Sequence, residues 1–261
     1  MARTEQGDTP LMKAASIGCR EIVEILLDHD SSSSHVNARS RNSLRTALHY
    51  ASEFGYTSCV QALLATQECK VWIKDAYGAT AIHAVTSCHQ KNAAEVCRML
   101  LDECIKYYQE DEENAQDASA FLDKYCRTPI HLAVDAAVDE PSCCVLKTLL
   151  AHKLMDLKFS LGYCSQHCYN LLDFPDNQLH TPIHYAAALS PVLPTQLLLG
   201  KKAHLQVRTS SGVSPLQIAI EDGNGQVAQM LLNVSSTCFY FVASNALRIC
   251  FLTVLVLFGR R

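Results

Sequence analysis

Apolar residues in this chain fall three and four apart in short runs, and glycines or polar turns divide one run from the next. Gly18 is followed by Ile22-Val23 and Leu26-Leu27, Gly55 by Cys59-Val60 and Leu63-Leu64, and Gly223 by Val227-Ala228 and Leu231-Leu232. This spacing predicts two short helices per unit, one before the glycine and one after it. A glycine just past a helix end suits a positive φ, which it adopts without a Cβ penalty. Neither helix is long enough to be stable alone, so each pair has to be covered by the next.

Each pair opens on a six-residue phrase. It reads Thr128-Pro129-Ile130-His131-Leu132-Ala133 in its fullest form and recurs from Thr9, Thr46, Thr80, Thr181 and Ser214. Thr or Ser suits an N-cap, and Pro after it suits the first helical turn, where its missing N–H is no loss. The intervals between first residues are 37, 34, 48, 53 and 33. The shortest sit at the period of ankyrin repeats, which carry this phrase, and the chain resembles that family over about residues 7 to 232. The resemblance implies an all-α repeat fold, an ankyrin α-solenoid of stacked helix-turn-helix pairs with short β-hairpin loops. On this reading residues 1–232 form the repeat domain, about six repeats starting near residues 7, 41, 75, 123, 176 and 209. Residues 233–261 form an apolar tail.

The family also expects a hairpin before the phrase, with Asp five and Gly two positions ahead of the Thr. Asp75 and Gly78 fit fully; Asp123 and Asp176 keep the acid while Cys126 and Leu179 replace the glycine. Gly7 and Gly212 keep the glycine alone, and the second repeat has Arg41 and Leu44 at the two places. Non-glycine residues at positive φ cost energy, so the hairpins of Leu44, Cys126 and Leu179 are expected to be distorted or rebuilt.

Two insertions interrupt the period, at about 106–121 and 153–175. Leu100-Leu101 lies late and leads into Asp102 to Tyr108, which predicts an extended outer helix. The run from Gln109 to Asp117 is too acidic to bury, and reads as solvated or as a docking strip for a basic segment. Asp139-Glu140-Pro141 predicts a break between the helices of the fourth repeat, and Pro191 and Pro194 leave the fifth only Thr195 to Leu199 as outer helix. His29 to His35, rich in serine, reads as a flexible loop. Lys201, Lys202, His204 and Arg208 make the approach to the sixth hairpin locally basic.

Composition narrows the function. The net charge is −4 and the pI near 6.2, which gives no reason to expect nucleic acid, whose binders show a strongly basic face. The 13 cysteines lie mostly where small apolar residues would serve, which reads as reduced thiols in a cytoplasmic or nuclear protein. No secretory signal opens the sequence, and the sparse cap before the first repeat fits a piece of a longer protein. Cys164, His167 and Cys168 form one Cys-x3-Cys with no second pair, against the paired spacings zinc uses, so they read as ordinary thiols in a loop. From Cys238 to Phe258 the tail has 21 residues, long enough for a bilayer. Its apolar residues contribute about −5 kcal/mol on an insertion scale, and Arg248 near the middle costs roughly 2.5 to 3.5. A weak membrane anchor, a covering helix and a tail appended by an irregular transcript all remain open for it.

Catalysis finds no footing. His49, His83, His131 and His184 share one phrase position, but packed helices sit about 8–10 Å apart and cannot bring them onto one zinc. The resemblance implies a structural histidine that bonds the backbone of neighbouring turns. No Gly-rich phosphate loop or serine elbow is present, so the chain reads as non-enzymatic with no cofactor or metal. What the resemblance implies is an adaptor or scaffold whose concave face of hairpin tips and inner helices holds another protein. By position its contacts would be Arg39, Arg41, Asn42, Trp72, Lys74, Tyr77, Tyr125, Asn177 and Arg208, with Trp72 the leading anchor. Two alternatives stand beside it: the cytosolic part of a membrane-anchored or channel-like protein, entering the bilayer through 238–258, and a regulator of Rel-type transcription factors.

Overall fold

The computed structural model describes residues 3–5, 7–110, 118–137, 143–156, 159–161, 164–189 and 191–239. Residues 107–110, 155–156, 159–161, 164–168 and 235–239 are described by backbone alone. The helices α1 (Pro10–Ile17) and α2 (Arg20–His29) form the first pair, and a four-residue turn, α3 (Ser33–Val36), follows. Next come α4 (Ala47–Glu53) with α5 (Thr57–Leu64), α6 (Ala81–Thr86) with α7 (Ala93–Glu110), and α8 (Pro129–Asp135) with α9 (Cys143–Ala151). A two-stranded antiparallel sheet, β1 (Phe159–Leu161) and β2 (Cys164–Tyr169), precedes α10 (Pro182–Ala188) with α11 (Val192–Gly200) and α12 (Pro215–Glu221) with α13 (Gly225–Phe239). First helices pack on first helices along the series α1, α4, α6, α8, α10, α12. Second helices do the same along α2, α5, α7, α9, α11. The result is two parallel helical layers with an interior that is continuous from pair to pair.

Each pair is built by the same local physics. The N-cap residues Thr9, Thr46, Thr80, Thr128, Thr181 and Ser214 are extended, and each closes a capping box with the residue three further on. Pro10, Pro129, Pro182 and Pro215 occupy the first turn, where no N–H is needed. The phrase's apolar residues, such as Leu11, Leu48, Ile82, Ile130 and Ile183, are buried between layers. Leu63, Leu100, Leu146 and Leu198 close the interior from the second helices.

Four expectations change. Cys126 and Leu179 hold φ of 60° and 61°, close to Gly78 at 74°, and their hairpins are not rebuilt. In both, the preserved aspartate holds the turn: Asp123 Oδ1 accepts the amides of Tyr125 and Arg127 at 2.8 Å, and Asp176 Oδ1 those of Gln178 and His180 at 2.8 Å. Only the second hairpin, with neither acid nor glycine, is altered. It closes from Ser40 N to Arg45 O at 2.9 Å, one residue wider than the Asp75 N to Ala79 O bond of 2.8 Å in the third. The fifth pair's outer helix runs Val192–Gly200 rather than from Thr195, because Pro194 falls in its first turn and costs no hydrogen bond. The serine-rich segment is a packed turn rather than a free loop. His35 and Val36 are buried, and Asn37 ties it to the next unit by donating to Glu68 O at 2.6 Å and accepting from Lys70 N at 2.9 Å.

The thiol-bearing segment 164–168 belongs to a strand, where the sequence suggested a loop. The segment that follows it packs inward through Leu171, Leu172 and Phe174. Helix α7 runs 18 residues to Glu110. Beyond the acidic run, a single 3-10 turn, Ala118–Phe121, buries Ala118 and Phe121. The acidic run from 111, the Asp139 to Pro141 segment and the apolar tail from residue 240 lie outside the described residues. Among the described residues no helix is long and apolar enough to cross a membrane.

These hairpins give opposite outcomes at equivalent positions. Leu179→Gly relieves a left-handed side chain, worth about 1–2 kcal/mol, at some cost in unfolded-chain entropy, and should stabilise by about 1 kcal/mol. At Gly78 an added Cβ would stand 2.7 Å from the Lys124 amide nitrogen, so Gly78→Ala should destabilise by at least about 1–2 kcal/mol. Urea denaturation of the two variants checks both signs; shifts in the same direction would refute the account.

Candidate protein-binding surface at the hairpin tips

The hairpins stand in one row because each bonds the next. Ala76 N donates to Ser43 O at 2.9 Å, Lys124 N to Tyr77 O at 3.0 Å, Asn177 N to Tyr125 O at 3.0 Å, and Ser210 N to Gln178 O at 2.8 Å. The same backbone position is used at every junction, so side chains fall into fixed register along the row. Arg3 Nη1 extends it to the first hairpin by donating to Gly7 O at 2.6 Å and Arg39 O at 2.8 Å.

Beneath the tips the phrase histidines fasten one pair to the following hairpin. His131 Nδ1 accepts from Thr128 N at 3.1 Å, which leaves Nε2 as the protonated nitrogen, and Nε2 donates to His180 O at 3.0 Å. His49 reaches Ala79 O at 3.1 Å, and His83 reaches Phe121 O at 3.2 Å and Arg127 O at 3.3 Å. Nε2 of His184 is buried without a well-formed hydrogen bond among the described residues; the carbonyls of Val213 and Val207 act on it from less favourable geometry. Burial drives the imidazoles of His83, His131 and His184 down to about 4 and lowers that of His49; the backbone acceptors offset this only in part. The neutral tautomer required by the geometry is therefore the one that burial favours.

The hairpin carboxylates also face inward. Asp8, Asp75, Asp123 and Asp176 are all buried. Asp75 Oδ2 meets Arg45 Nε at 3.4 Å, Asp123 Oδ2 meets Arg127 Nε at 2.8 Å, and Asp176 Oδ2 accepts from Tyr185 Oη at 2.9 Å. Burial and this hydrogen bond hold the Tyr185 hydroxyl well above its usual range. Cations remain outside: Arg3, Arg39, Arg41, Lys124 and Arg208 are exposed and, among the described residues, pair with no carboxylate. Glu5 is the exposed acid of the described hairpins.

The nine residues singled out from sequence occupy this row in different ways. Tyr77 is 60% exposed and Tyr125 49%, and Lys124 Nζ sits between them, 4.4 Å and 5.0 Å from the two ring centroids. The Arg127 guanidinium lies 4.9 Å from the Tyr125 ring. Arg39 donates to Leu44 O and Lys74 O, Lys74 to Leu122 O, Asn177 to Lys124 O and Arg208 to Gly212 O, so these brace the row as well as facing solvent. Arg41 packs its stem over Gly7, and Asn42 is exposed beside it. Trp72 is half-buried against the edge of the core. Sequence reasoning missed Lys124, Arg127 and the 49% exposed Leu179. The hairpin register, which sets residue 124 beside residue 77, was the signal that could have found Lys124.

A second exposed patch lies on the outer face of the first pair, where Ile17, Ile22 and Ile25 stand uncovered among the described residues. Ile17 and Ile22 line an open groove of about 540 Å³ with Thr4, Pro10 and Lys13. Among the described residues no group of three or more His, Cys, Asp or Glu side chains is placed to hold a metal ion, and the side chains of 164–168 are outside that set.

Residues 1–75 match the family model described as ankyrin repeats, in three copies. Residues 1–75 are ankyrin repeats. Helix pairs with the ankyrin capping box continue beyond the matched segment to α13. No curated protein matches the chain. Ankyrin repeats generally mediate protein–protein interaction and are typically non-enzymatic.

The histidines make the stack acid-sensitive. Their folded values lie below the ordinary 6.5, so the stabilisation is complete above about pH 6.5 and is lost as pH falls towards 4. At pH 5 each of His83, His131 and His184 should take up about 0.9 proton on unfolding. Denaturation midpoints measured from pH 8 to 4 should fall most steeply between 6.5 and 4. Equal stability at pH 8 and pH 5 would contradict the assignment.

Proposed function

We propose that this chain is a non-catalytic adaptor that holds another protein along its row of hairpin tips. The observation that carries the reading is the Tyr77–Lys124–Tyr125 stack: two exposed rings with a cation held between them. Aromatic and arginine side chains dominate interface energetics, and rings already held by a neighbour lose little freedom on binding. Hydrogen bonds from tip to tip fix the spacing of the contacts before a partner arrives.

We infer a reducing compartment, cytoplasm or nucleus, from the cysteines. Cys59, Cys88, Cys97 and Cys104 are buried free thiols that serve as core residues. Burial keeps Cys69 and Cys104 up at about 12, so these thiols are poor nucleophiles, in keeping with a packing role.

Trp72 packs against the core, so its truncation would confound binding with folding. Tyr77→Ala together with Tyr125→Ala is the cleaner test. Affinity capture with quantitative mass spectrometry should show the partners of the native chain depleted by about tenfold or more, as expected for paired aromatic anchors. The melting temperature should change little. Retention of the same partners by the folded double variant would overturn the reading.

A further inference from the structure

We propose that the partner segment held by the hairpin row is an extended, acidic peptide. This rests on the protein-binding reading above and adds the chemistry of what is bound. The chain as a whole carries −4, yet the row of tips is cationic, because folding turns its carboxylates inward and leaves its cations outside. Asp75, Asp123 and Asp176 are consumed in holding turn amides and in pairing with Arg45, Arg127 and Tyr185. Arg3, Arg39, Arg41 and Lys124 then face solvent on the first four hairpins with Glu5 as the exposed acid among them.

Spacing sets the length of the guest. Packed helices repeat about every 8–10 Å, so the first to fourth hairpins span about 27 Å. An extended chain covers that in about eight residues at roughly 3.3 Å each. Tyr77 and Tyr125 offer ring faces to its aliphatic stems, while Lys124 supplies charge between them.

A nucleic acid is disfavoured although it too is anionic. Its binders show a pI above about 9, against 6.2 here. The tips place their cations singly, one or two to a hairpin, where polyphosphate binding draws on many contacts at once. A short peptide needs only the field within a Debye length of about 8–10 Å, and that local field is positive.

The test is a fluorescence-anisotropy titration of the full chain at low salt with fluorescein-labelled octaglutamate. Octaglutamine and a single-stranded RNA of equal charge serve as comparison probes. Octaglutamate should bind at least about tenfold more tightly than either, and Arg41→Glu with Lys124→Glu should weaken it by about tenfold or more. The same number of reversals on the second-helix layer, Arg20→Glu with Arg98→Glu, should change it less than about twofold, both variants melting as the native chain does. Equal binding of octaglutamine, tighter binding of the RNA, or full binding by the Arg41/Lys124 variant would overturn the proposal. Loss of captured partners in the tyrosine variant without octaglutamate binding would sink this inference alone and leave the protein-binding reading intact.

Discussion

A buried imidazole shared between two neighbours, as at His49, His83 and His131, is the contact on which the middle of the stack depends. His131 accepts from the amide of its own N-cap and donates to the carbonyl of His180 in the following hairpin. A neutral histidine is the side chain that can do both in one plane, because one ring nitrogen accepts while the other donates. The N-terminal amide of a short helix and a hairpin carbonyl 49 residues away are satisfied together. Without that link the Thr128 amide would be a buried polar group lacking a partner, at about 1–3 kcal/mol, while the His180 carbonyl would keep only the Asp176 amide at 2.8 Å. Helices of six to eight residues have little stability of their own. Their persistence therefore follows from the neighbour that each histidine holds in place.

The hairpins solve a separate problem, the left-handed residue at the tip. Glycine takes it freely at Gly7, Gly78 and Gly212. Cys126 and Leu179 take it under strain, and each does so above an aspartate that grips two turn amides. Where glycine is present, Thr4 and Thr209 suffice at the aspartate's place, each accepting a single amide through Oγ1 at 3.1 Å. Acid and glycine are thus partly interchangeable supports for one turn. Losing both, as at Arg41 and Leu44, widens the loop by a residue while leaving the bond from Ala76 N to Ser43 O in place.

That exchange explains what could be read in the sequence and what could not. The phrase is local: Thr128 and His131 are three apart, so the capping box and the helix after it are implied by the letters alone. The fate of Leu179 depended on Asp176 compensating for a missing glycine, and a count of consensus departures treats the two positions as independent. Pro194 looked like a helix breaker because its harm depends on depth within the helix, and the sequence did not mark Val192 as the start. The strands at 159–169 carried a turn signal between them in Gly162-Tyr163, but their cysteines drew attention to metal chemistry instead. Within the surface, Tyr77 and Tyr125 were legible as departures from pattern. Lys124 was not, since its meaning arises from pairing with a residue 47 positions earlier across an insertion.

The aspartates connect architecture to recognition. A hairpin needs an acceptor inside its turn, and an ionised carboxylate serves two amides better than a hydroxyl serves one. Placing that acceptor inside removes negative charge from the tip, and the arginine or lysine nearby is then left facing water or is drawn over a ring, as Lys124 is over Tyr77. Positive character at the tips therefore needs no excess of basic residues in the chain, whose 22 Lys and Arg are outnumbered by 26 Asp and Glu. The sign of the hairpin row is decided by which charges the turns consume, so net charge speaks to solubility and long-range attraction while the hairpins set the local field at the tips.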